Sequence, residues 1–249
     1  MAFLYSFGMD QNNSIRSFGH RLISRREGES RLLALVAVIA IGVWIFAFLT
    51  NSLGGKIYVD DLIVNWIFPS YGEPFNSKGL YEVARDITSL GSGVILTFLT
   101  ITNFAYIIAR GDRRGAWFLF AVLVGALILT FGLKFGIDRT RPDFATGIIY
   151  STTSPSFPSG HSLLTAAIFP ALATIFARRE SILGIRLMFL SFALLVAVAV
   201  GISRVLVGAH YPSDVIAGWS LGFAWVATCR IGFSYYERKV LRGGDYNSI

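Results

Sequence analysis

Three short blocks of the sequence carry residue types that could bind an oxyanion and attack it. The first block runs from Lys134 to Pro142 and fixes two cations, Lys134 and Arg141, seven positions apart. Cationic donors of this kind suit the oxygens of an anion such as phosphate. Taken alone the pair is weak evidence, because a lysine snorkelling from a helix end and an ordinary loop arginine would look the same.

The second block, Phe157 to His161, leads directly into an apolar stretch and therefore lies at a predicted helix N-terminus, where backbone N–H groups favour phosphate. Gly160 allows close approach to the backbone, Ser159 supplies a hydroxyl donor, and His161 supplies an imidazole. The alternative interpretation is that Pro158 and Ser159 are ordinary helix-start residues with a capping histidine.

The third block runs from Ser203 to Asp214 and combines Arg204, His210 and Asp214. In a continuous helix His210 and Asp214 would be neighbours, with Cβ atoms ~5–6 Å apart. Pro212 lies between them and predicts that a new helix begins there, which leaves the contact open. The alternative interpretation of this block is a histidine that caps one helix and an aspartate in the first turn of the next, where its charge interacts favourably with the helix dipole.

The elements that must position these blocks are apolar. The chain of 249 residues is 54% hydrophobic and only 15% charged, whereas soluble domains are about 25% charged. Six apolar blocks approach the ~20 residues that a membrane span requires. They are Leu32–Thr50, Ile87–Ala109, Ala116–Leu133, Ser162–Ala177, Ile182–Ile202 and Val215–Phe233. The fourth contains Pro170 and alone could be a kinked core helix of a soluble protein.

We therefore predict an all-α integral membrane protein with six transmembrane helices. Its domain would be residues 32–233, after a basic segment, 1–31, and before a tail, 234–249. The single cysteine, Cys229, excludes an internal disulfide and a thiol metal cluster. No spacing of His, Asp and Glu indicates a metal site, so we expect neither a metal nor another cofactor.

The net charge of +7 is explained by topology better than by nucleic acid, because no soluble domain presents a basic stripe. Fifteen of the 22 cationic residues flank one set of helix ends, which the positive-inside rule names cytoplasmic. The other side holds Lys56, Lys78, Arg85, Lys134, Arg139, Arg141 and Arg204. Both termini are then expected in the cytoplasm, and all three blocks on the opposite face.

The first loop on that opposite face contains a short amphipathic segment. Its apolar residues repeat at helical spacing, and its polar residues fall mostly on the other side. The apolar set is Val59, Leu62, Ile63, Trp66 and Ile67, and the polar set is Asp60, Asp61 and Asn65. This pattern predicts an interfacial helix along the membrane surface. A second helical stretch, Leu80–Leu90, would lead into the second span.

Convergence of the three blocks strengthens each of them. Lys134, Arg141 and Arg204 would repel one another in a single pocket unless an anion joined them, and phosphate would supply that anion. Two of the three histidines lie on the same face, whereas His20 is expected to be solvated in the basic N-terminal segment.

With these residues the sequence resembles the type 2 phosphatidic acid phosphatase family, whose signature also occurs in bacterial acid phosphatases and vanadium haloperoxidases. The three family signatures are matched in full: Lys, six residues, Arg-Pro at Lys134–Pro142; Pro-Ser-Gly-His at Pro158–His161; and Ser-Arg, five residues, His, three residues, Asp at Ser203–Asp214. Many members continue with a second Arg-Pro, where this chain has Asp143-Phe144. That departure affects head-group recognition, not the mechanism.

The resemblance implies a metal-independent lipid phosphatase. It assigns His210 as the nucleophile, Asp214 as its orienting carboxylate and His161 as the acid that protonates the leaving group. Lys134, Arg141, Ser159, Gly160 and Arg204 would bind the phosphate. The expected partners are the bilayer and a phosphorylated lipid such as phosphatidic acid, phosphatidylglycerol phosphate, undecaprenyl diphosphate or a lipid A type. The expected location is a bacterial inner membrane, with the active site facing the periplasm.

Two other functions fit parts of the same pattern. A lipid phosphotransferase would pass the phosphoryl group from His210 to another lipid. A non-enzymatic transporter or binder of anionic lipid would share the cationic pocket but would need no nucleophile. A haloperoxidase is disfavoured by the six spans. The sequence predicts neither the particular lipid nor the oligomeric state.

Overall fold

The computed structural model describes residues 30–50, 58–69, 76–134, 139–142 and 154–242. Within these ranges the chain forms eight helices and no strand. They are α1 (Ser30–Thr50), α2 (Tyr58–Ile67), α3 (Lys78–Ser89), α4 (Gly93–Ala109), α5 (Arg113–Lys134), α6 (Gly160–Ala177), α7 (Leu183–Leu206) and α8 (Pro212–Arg242). Six candidate spans result, with α3 and α4 counted together. The predicted six-helix membrane architecture is confirmed.

Helix α6 forms the centre of the bundle and packs against α5, α7 and α8. Its apolar side chains, including Leu163, Ile168 and Ile175, are buried with residues of α5 such as Leu119 and Val122. In α6, 61% of the 18-residue apolar stretch is buried inside the protein, whereas in α1 only 11% of the corresponding stretch is buried. Because α6 faces protein more than lipid, it tolerates small and polar residues and the internal Pro170.

Two predicted boundaries differ from the structure. The block Ile87–Ala109 is not one helix, because the chain breaks after Ser89 and restarts at Gly93. Ser92 caps the restart by accepting a hydrogen bond from the Ile95 N–H at 3.3 Å. The last helix continues past Phe233 to Arg242, so it is longer than its apolar block.

The two ends of the bundle differ in their contacts. At one end the turn between α4 and α5 meets the turn between α6 and α7 through an ion pair of Arg179 with Asp112 at 2.9 Å. Arg178 there also binds Glu237 of α8 at 2.8 Å. The opposite end gathers the C-termini of α5 and α7 with the N-termini of α6 and α8. This second end carries all three blocks that the sequence singles out.

Helix α2 lies at the same end as the blocks. Its Val64 and Ile67 are buried against Val205 and Val215 of the bundle. The helix predicted in the first loop is confirmed, and the structure leaves several of its apolar side chains exposed. The exposed apolar residues of this helix are Tyr58, Val59, Leu62 and Trp66.

Close packing of α8 on α6 depends on two glycines one helical turn apart. A Cβ added to Gly218 would lie 2.6 Å from the Ser159 carbonyl oxygen, and one added to Gly222 would lie 2.5 Å from that of Leu163. Neither backbone oxygen can move without moving the start of α6. The two glycines therefore let the N-termini of α6 and α8 lie side by side, which brings the second and third blocks together.

We expect Gly218→Ala to destabilise the protein by about 1–3 kcal/mol, because the added methyl group overpacks the contact between α8 and α6. Gly232→Ala is the matched control, since a Cβ there meets nothing within 4 Å on the same helix. Thermal unfolding in detergent measures the difference. Equal melting temperatures for the two variants would contradict the close approach of the helices.

Candidate active site

Hydrogen bonds between the three blocks hold them as one unit. The Ser159 N–H donates to the Asp214 carbonyl at 3.0 Å, which ties the start of α6 to the first turn of α8. The Arg141 Nη1 donates to the Ala209 carbonyl at 2.9 Å, which ties the first block to the third. The predicted convergence of the blocks is therefore observed.

His210 lies in the short turn between α7 and α8 and is 2% exposed. The turn is made by Gly208, whose positive φ of 68° suits a residue without a side chain at a helix C-terminus. The Ala209 N–H donates to the Arg204 carbonyl at 3.0 Å and closes the turn. This geometry directs the imidazole into the bundle instead of toward its surface.

Asp214 faces His210 even though Pro212 begins a new helix between them. The Nδ1 of His210 lies 3.4 Å from the Asp214 Oδ2. The same oxygen accepts the Tyr211 N–H at 3.0 Å, so the carboxylate bends back over the start of its own helix. A hydrogen bond from the N-cap N–H, here Tyr211, to the side chain of the third helical residue, here Asp214, is one of the two bonds of a capping box. The contact that the sequence left open is thus made by helix capping, not by a continuous helix.

The two nitrogens of His210 meet different environments. Nδ1 faces the Asp214 carboxylate, and Nε2 lies 3.3 Å from the Arg141 Nη1. A carboxylate at Nδ1 favours the tautomer that carries its proton there and leaves a lone pair on Nε2, which faces the Arg141 guanidinium. Burial lowers the pKa of His210 to about 4; Asp214 opposes this decrease, and Arg204 and Arg141 add to it. The imidazole is therefore neutral at neutral pH, which is its nucleophilic form.

We expect the acid limb of kcat/KM to lie below pH 6.5 and nearer pH 4. As the pH falls, His210 becomes protonated and loses its lone pair, and its lowered pKa delays that loss. The measurement is kcat/KM against pH with two substrates whose phosphate groups have different pKa values. A limb shared by both substrates belongs to the enzyme. A shared limb at or above pH 6.5 would contradict the lowered pKa.

Three predicted cations lie near the two histidines of the site. The Arg141 guanidinium also binds the Ser154 carbonyl at 3.2 Å, which fixes its orientation. Arg204 of α7 is 2% exposed and donates to the Thr88 hydroxyl of α3 at 3.1 Å. Lys134, at the end of α5, is within electrostatic range of both arginines. Such a set of positive charges stabilises an oxyanion held among them.

The N-terminus of α6 forms another wall of the site. Ser159 is the N-cap, and its buried hydroxyl receives a hydrogen bond from the Ser162 hydroxyl at 2.9 Å. The first N–H groups of any helix, here from Gly160 onward, have no partner within the helix. His161 lies within electrostatic range of His210. The capping role of Ser159 is observed, and its role in binding phosphate stays a prediction.

Gly91, in the break between α3 and α4, makes room for His161. A Cβ added to Gly91 would lie 3.0 Å from the His161 Cδ2 and 2.7 Å from the Val200 Cγ1. The break that the sequence did not predict thus sets one wall of the site. The departure at Asp143-Phe144 lies outside the described residues.

Sequence reasoning missed two residues that contact Asp214 and a third that reaches it through one of them. Arg139 donates to the Asp214 Oδ1 at 2.5 Å and to the Asp60 Oδ2 at 2.8 Å. The Ser156 hydroxyl donates to the Asp214 Oδ2. Asp60 was expected on the polar, outward face of α2, yet it is 2% exposed. The available signal was its spacing of four and seven from Val64 and Ile67, which places it on their buried face.

The bundle of apolar spans encloses cations, a buried histidine and a carboxylate that faces it, an arrangement that suits an integral membrane phosphatase. The chain belongs to the PAP2 superfamily, whose family model matches residues 115–238. It is 37% identical over 145 residues to phosphatidylglycerophosphatase B of Bacillus subtilis, which covers 57% of this chain and 70% of that relative. It is 40% identical over 119 residues to lipid A 1-phosphatase of Rhizobium johnstonii, with coverage of 45% and 44%.

A solved structure has the same fold. The transmembrane PAP2 type phosphatidylglycerolphosphate phosphatase from Bacillus subtilis superposes with a TM-score of 0.68 and 28% identity. The match covers 81% of this chain and 96% of that one. The resemblance inferred from the three signatures is confirmed, and the chain is a lipid phosphatase of the PAP2 type.

Proposed function

We propose that this protein hydrolyses the phosphate ester or diphosphate of a membrane lipid through a phosphohistidine on His210. The observation that carries the proposal is the pairing of His210, with Asp214 at Nδ1 and Arg141 at Nε2. A phosphoryl group among the cations would lie next to the lone pair of Nε2. This arrangement of a nucleophile with an orienting group follows the general logic of covalent catalysis.

In the first step Nε2 of His210 attacks phosphorus, and the bond from phosphorus to the leaving oxygen breaks. His161 donates a proton to that oxygen, and Asp214 supports the positive charge that develops on His210. In the second step His161 takes a proton from water, whose oxygen attacks the phosphohistidine. Inorganic phosphate leaves, and His210 returns to its neutral form.

Lys134, Arg141 and Arg204 would hold the phosphoryl oxygens, together with the Ser159 hydroxyl and the Gly160 N–H. Charge on these oxygens grows toward the transition state, where fixed cations are most effective. The cations supply the stabilisation that a divalent metal provides in other phosphatases. We therefore expect the reaction to proceed in EDTA.

We further propose that the site opens to the extracytoplasmic side, with both termini in the cytoplasm. The support is the excess of Lys and Arg at the end of the bundle that lacks the site. In a bacterium this would be the periplasmic face of the inner membrane. In a Cys229→Ala background, access of a membrane-impermeant thiol reagent to Tyr58→Cys and Arg179→Cys tests the orientation, because only the first would react from outside.

Phosphate release from a panel of lipids tests the function. Phosphatidic acid, phosphatidylglycerol phosphate, undecaprenyl diphosphate and lipid A cover the phosphomonoester and diphosphate classes. We expect release from at least one of them in EDTA and inhibition by vanadate, which imitates the phosphoryl transition state. Label transferred to a second lipid without free phosphate would instead identify a phosphotransferase. Binding without either product would overturn the proposal.

A further inference from the structure

Helix α2 is joined to the proposed nucleophile by a chain of buried polar contacts. Arg139 lies in the middle of this chain, with Nη2 on the Asp60 carboxylate of α2 and Nη1 on the Asp214 carboxylate of α8. Asp214 in turn faces Nδ1 of His210. Asp60 is therefore three contacts away from the imidazole, although it is 150 positions earlier in the sequence.

Each member of the chain is fixed on more than one side. Asp60 accepts the Ser213 N–H at 2.9 Å and the Ser213 hydroxyl at 2.5 Å, so it also caps the first turn of α8. The Arg139 guanidinium lies over the Tyr211 ring, with Cζ 4.2 Å from the ring centroid. The planar guanidinium binds the two carboxylates through two separate nitrogens in a fixed plane, whereas an ammonium group offers its donors from a single nitrogen.

The charges of the chain also matter to His210. Two carboxylates and one guanidinium leave a net charge of about one negative unit beside the imidazole. Without Asp60, the positive charge of Arg139 would act on Asp214 alone and would weaken its support of a cationic His210. Without Arg139, two carboxylates would face each other in a buried position, and Asp214 would lose the partner that sets its orientation.

We propose that Asp60 and Arg139 are positioning residues that hold Asp214 in the orientation and charge state that phosphoryl transfer to His210 requires. The proposal rests on the phosphohistidine function proposed above. It makes α2 part of the catalytic framework and not merely a surface helix, because α2 supplies the outermost carboxylate of the chain.

The first test compares Asp60→Asn with Asp61→Asn. Asparagine keeps the shape of Asp60 but removes its charge, and Asp61 is the adjacent, partly exposed aspartate on the same helix. We expect Asp60→Asn to lower kcat by about 10- to 100-fold with little change in KM, because Asp214 is misplaced after the substrate has bound. We expect Asp61→Asn to match the wild type. Equal kcat values for the two variants would overturn the proposal.

The second test uses charge balance. Arg139→Met should move the acid limb of kcat/KM to higher pH, since added net negative charge favours protonation of His210. The other charged or titratable groups around His210 are Arg141, Arg204 and His161, and they stay in place. Adding Asp60→Asn to Arg139→Met restores the net charge and should return the limb toward its original position. A purely structural role predicts the same limb for both variants, and that result would overturn the proposal.

If Asp60→Asn does not give a monodisperse protein, Arg139→Lys carries the test. Lysine keeps the positive charge but lacks the second nitrogen and the fixed plane that orient Asp214, so kcat should fall at least about tenfold. A kcat equal to that of the wild type would contradict the proposal. Failure of the proposed function is separate, because a wild-type protein without phosphate release or histidine phosphate would fail before any variant is compared.

Discussion

Replacing His210 by alanine is expected to lower kcat for phosphate release by at least about 10⁴-fold, the scale seen when a covalent nucleophile is removed. Its Nε2 is the attacking atom in the proposed mechanism, and a water molecule in its place would lack the Asp214 contact. The remaining cations would still bind phosphate, so KM or vanadate affinity should change far less than kcat. Release of labelled phosphate from a lipid substrate measures the loss.

A rapid quench after mixing with labelled lipid provides the second readout. The wild-type protein should carry acid-labile, base-stable label, and His210→Ala should carry none. His20→Ala is the matched control, since it removes a histidine that the sequence places away from the site. Near-normal phosphate release by His210→Ala, or label retained on it, would exclude His210 as the nucleophile.

Replacing His161 by alanine is expected to lower kcat by about 10²- to 10⁴-fold on lipid substrates. In the proposed mechanism His161 protonates an alkoxide leaving group, which is a poor leaving group without that proton. The phosphate dianion of the bound substrate favours the protonated form of His161 because opposite charges stabilise each other. The loss should therefore depend on the leaving group.

The leaving-group dependence is measured with p-nitrophenyl phosphate, whose phenolate leaves without a proton. His161→Ala should then release a burst of about one p-nitrophenolate per site and stall, because the second step still needs a base. Arg141→Met is the control, since it weakens contacts to phosphoryl oxygens that both substrates share. A lipid substrate that gives the same burst with His161→Ala would contradict the acid role.

Prediction from the sequence agrees best with the structure for features that depend only on neighbouring residues. Each span follows from a contiguous apolar run, and the start of α8 at Pro212 follows from the fixed φ of proline. The break between α3 and α4 was missed, although the polar and glycine residues between Thr88 and Gly93 interrupt the apolar block and are a local turn signal. The tertiary structure adds why a glycine stands in this break: His161 and Val200 occupy the space that a side chain at Gly91 would fill.

Asp60 is a residue near the site whose placement was also misassigned from the sequence. On an amphipathic helix a carboxylate opposite an apolar face is expected to point to water. In this helix apolar residues lie on both sides: Leu62 and Trp66 are half or more accessible, whereas Val64 and Ile67 are buried on the same side as Asp60. Residue type alone therefore does not assign Asp60 to the buried side, and the signal that does is its helical spacing from Val64 and Ile67.

The sequence by itself determined the six apolar spans and the three blocks that carry the chemistry, because these depend on residue type and short spacing. It also determined the family, which the blocks mark. Only the tertiary structure decided how His210 meets Asp214 and which groups hold that pair. Arg139 and Asp60 are 79 positions apart and Arg139 and Asp214 are 75 apart. Contacts over such separations are set by helix packing, which no short pattern encodes.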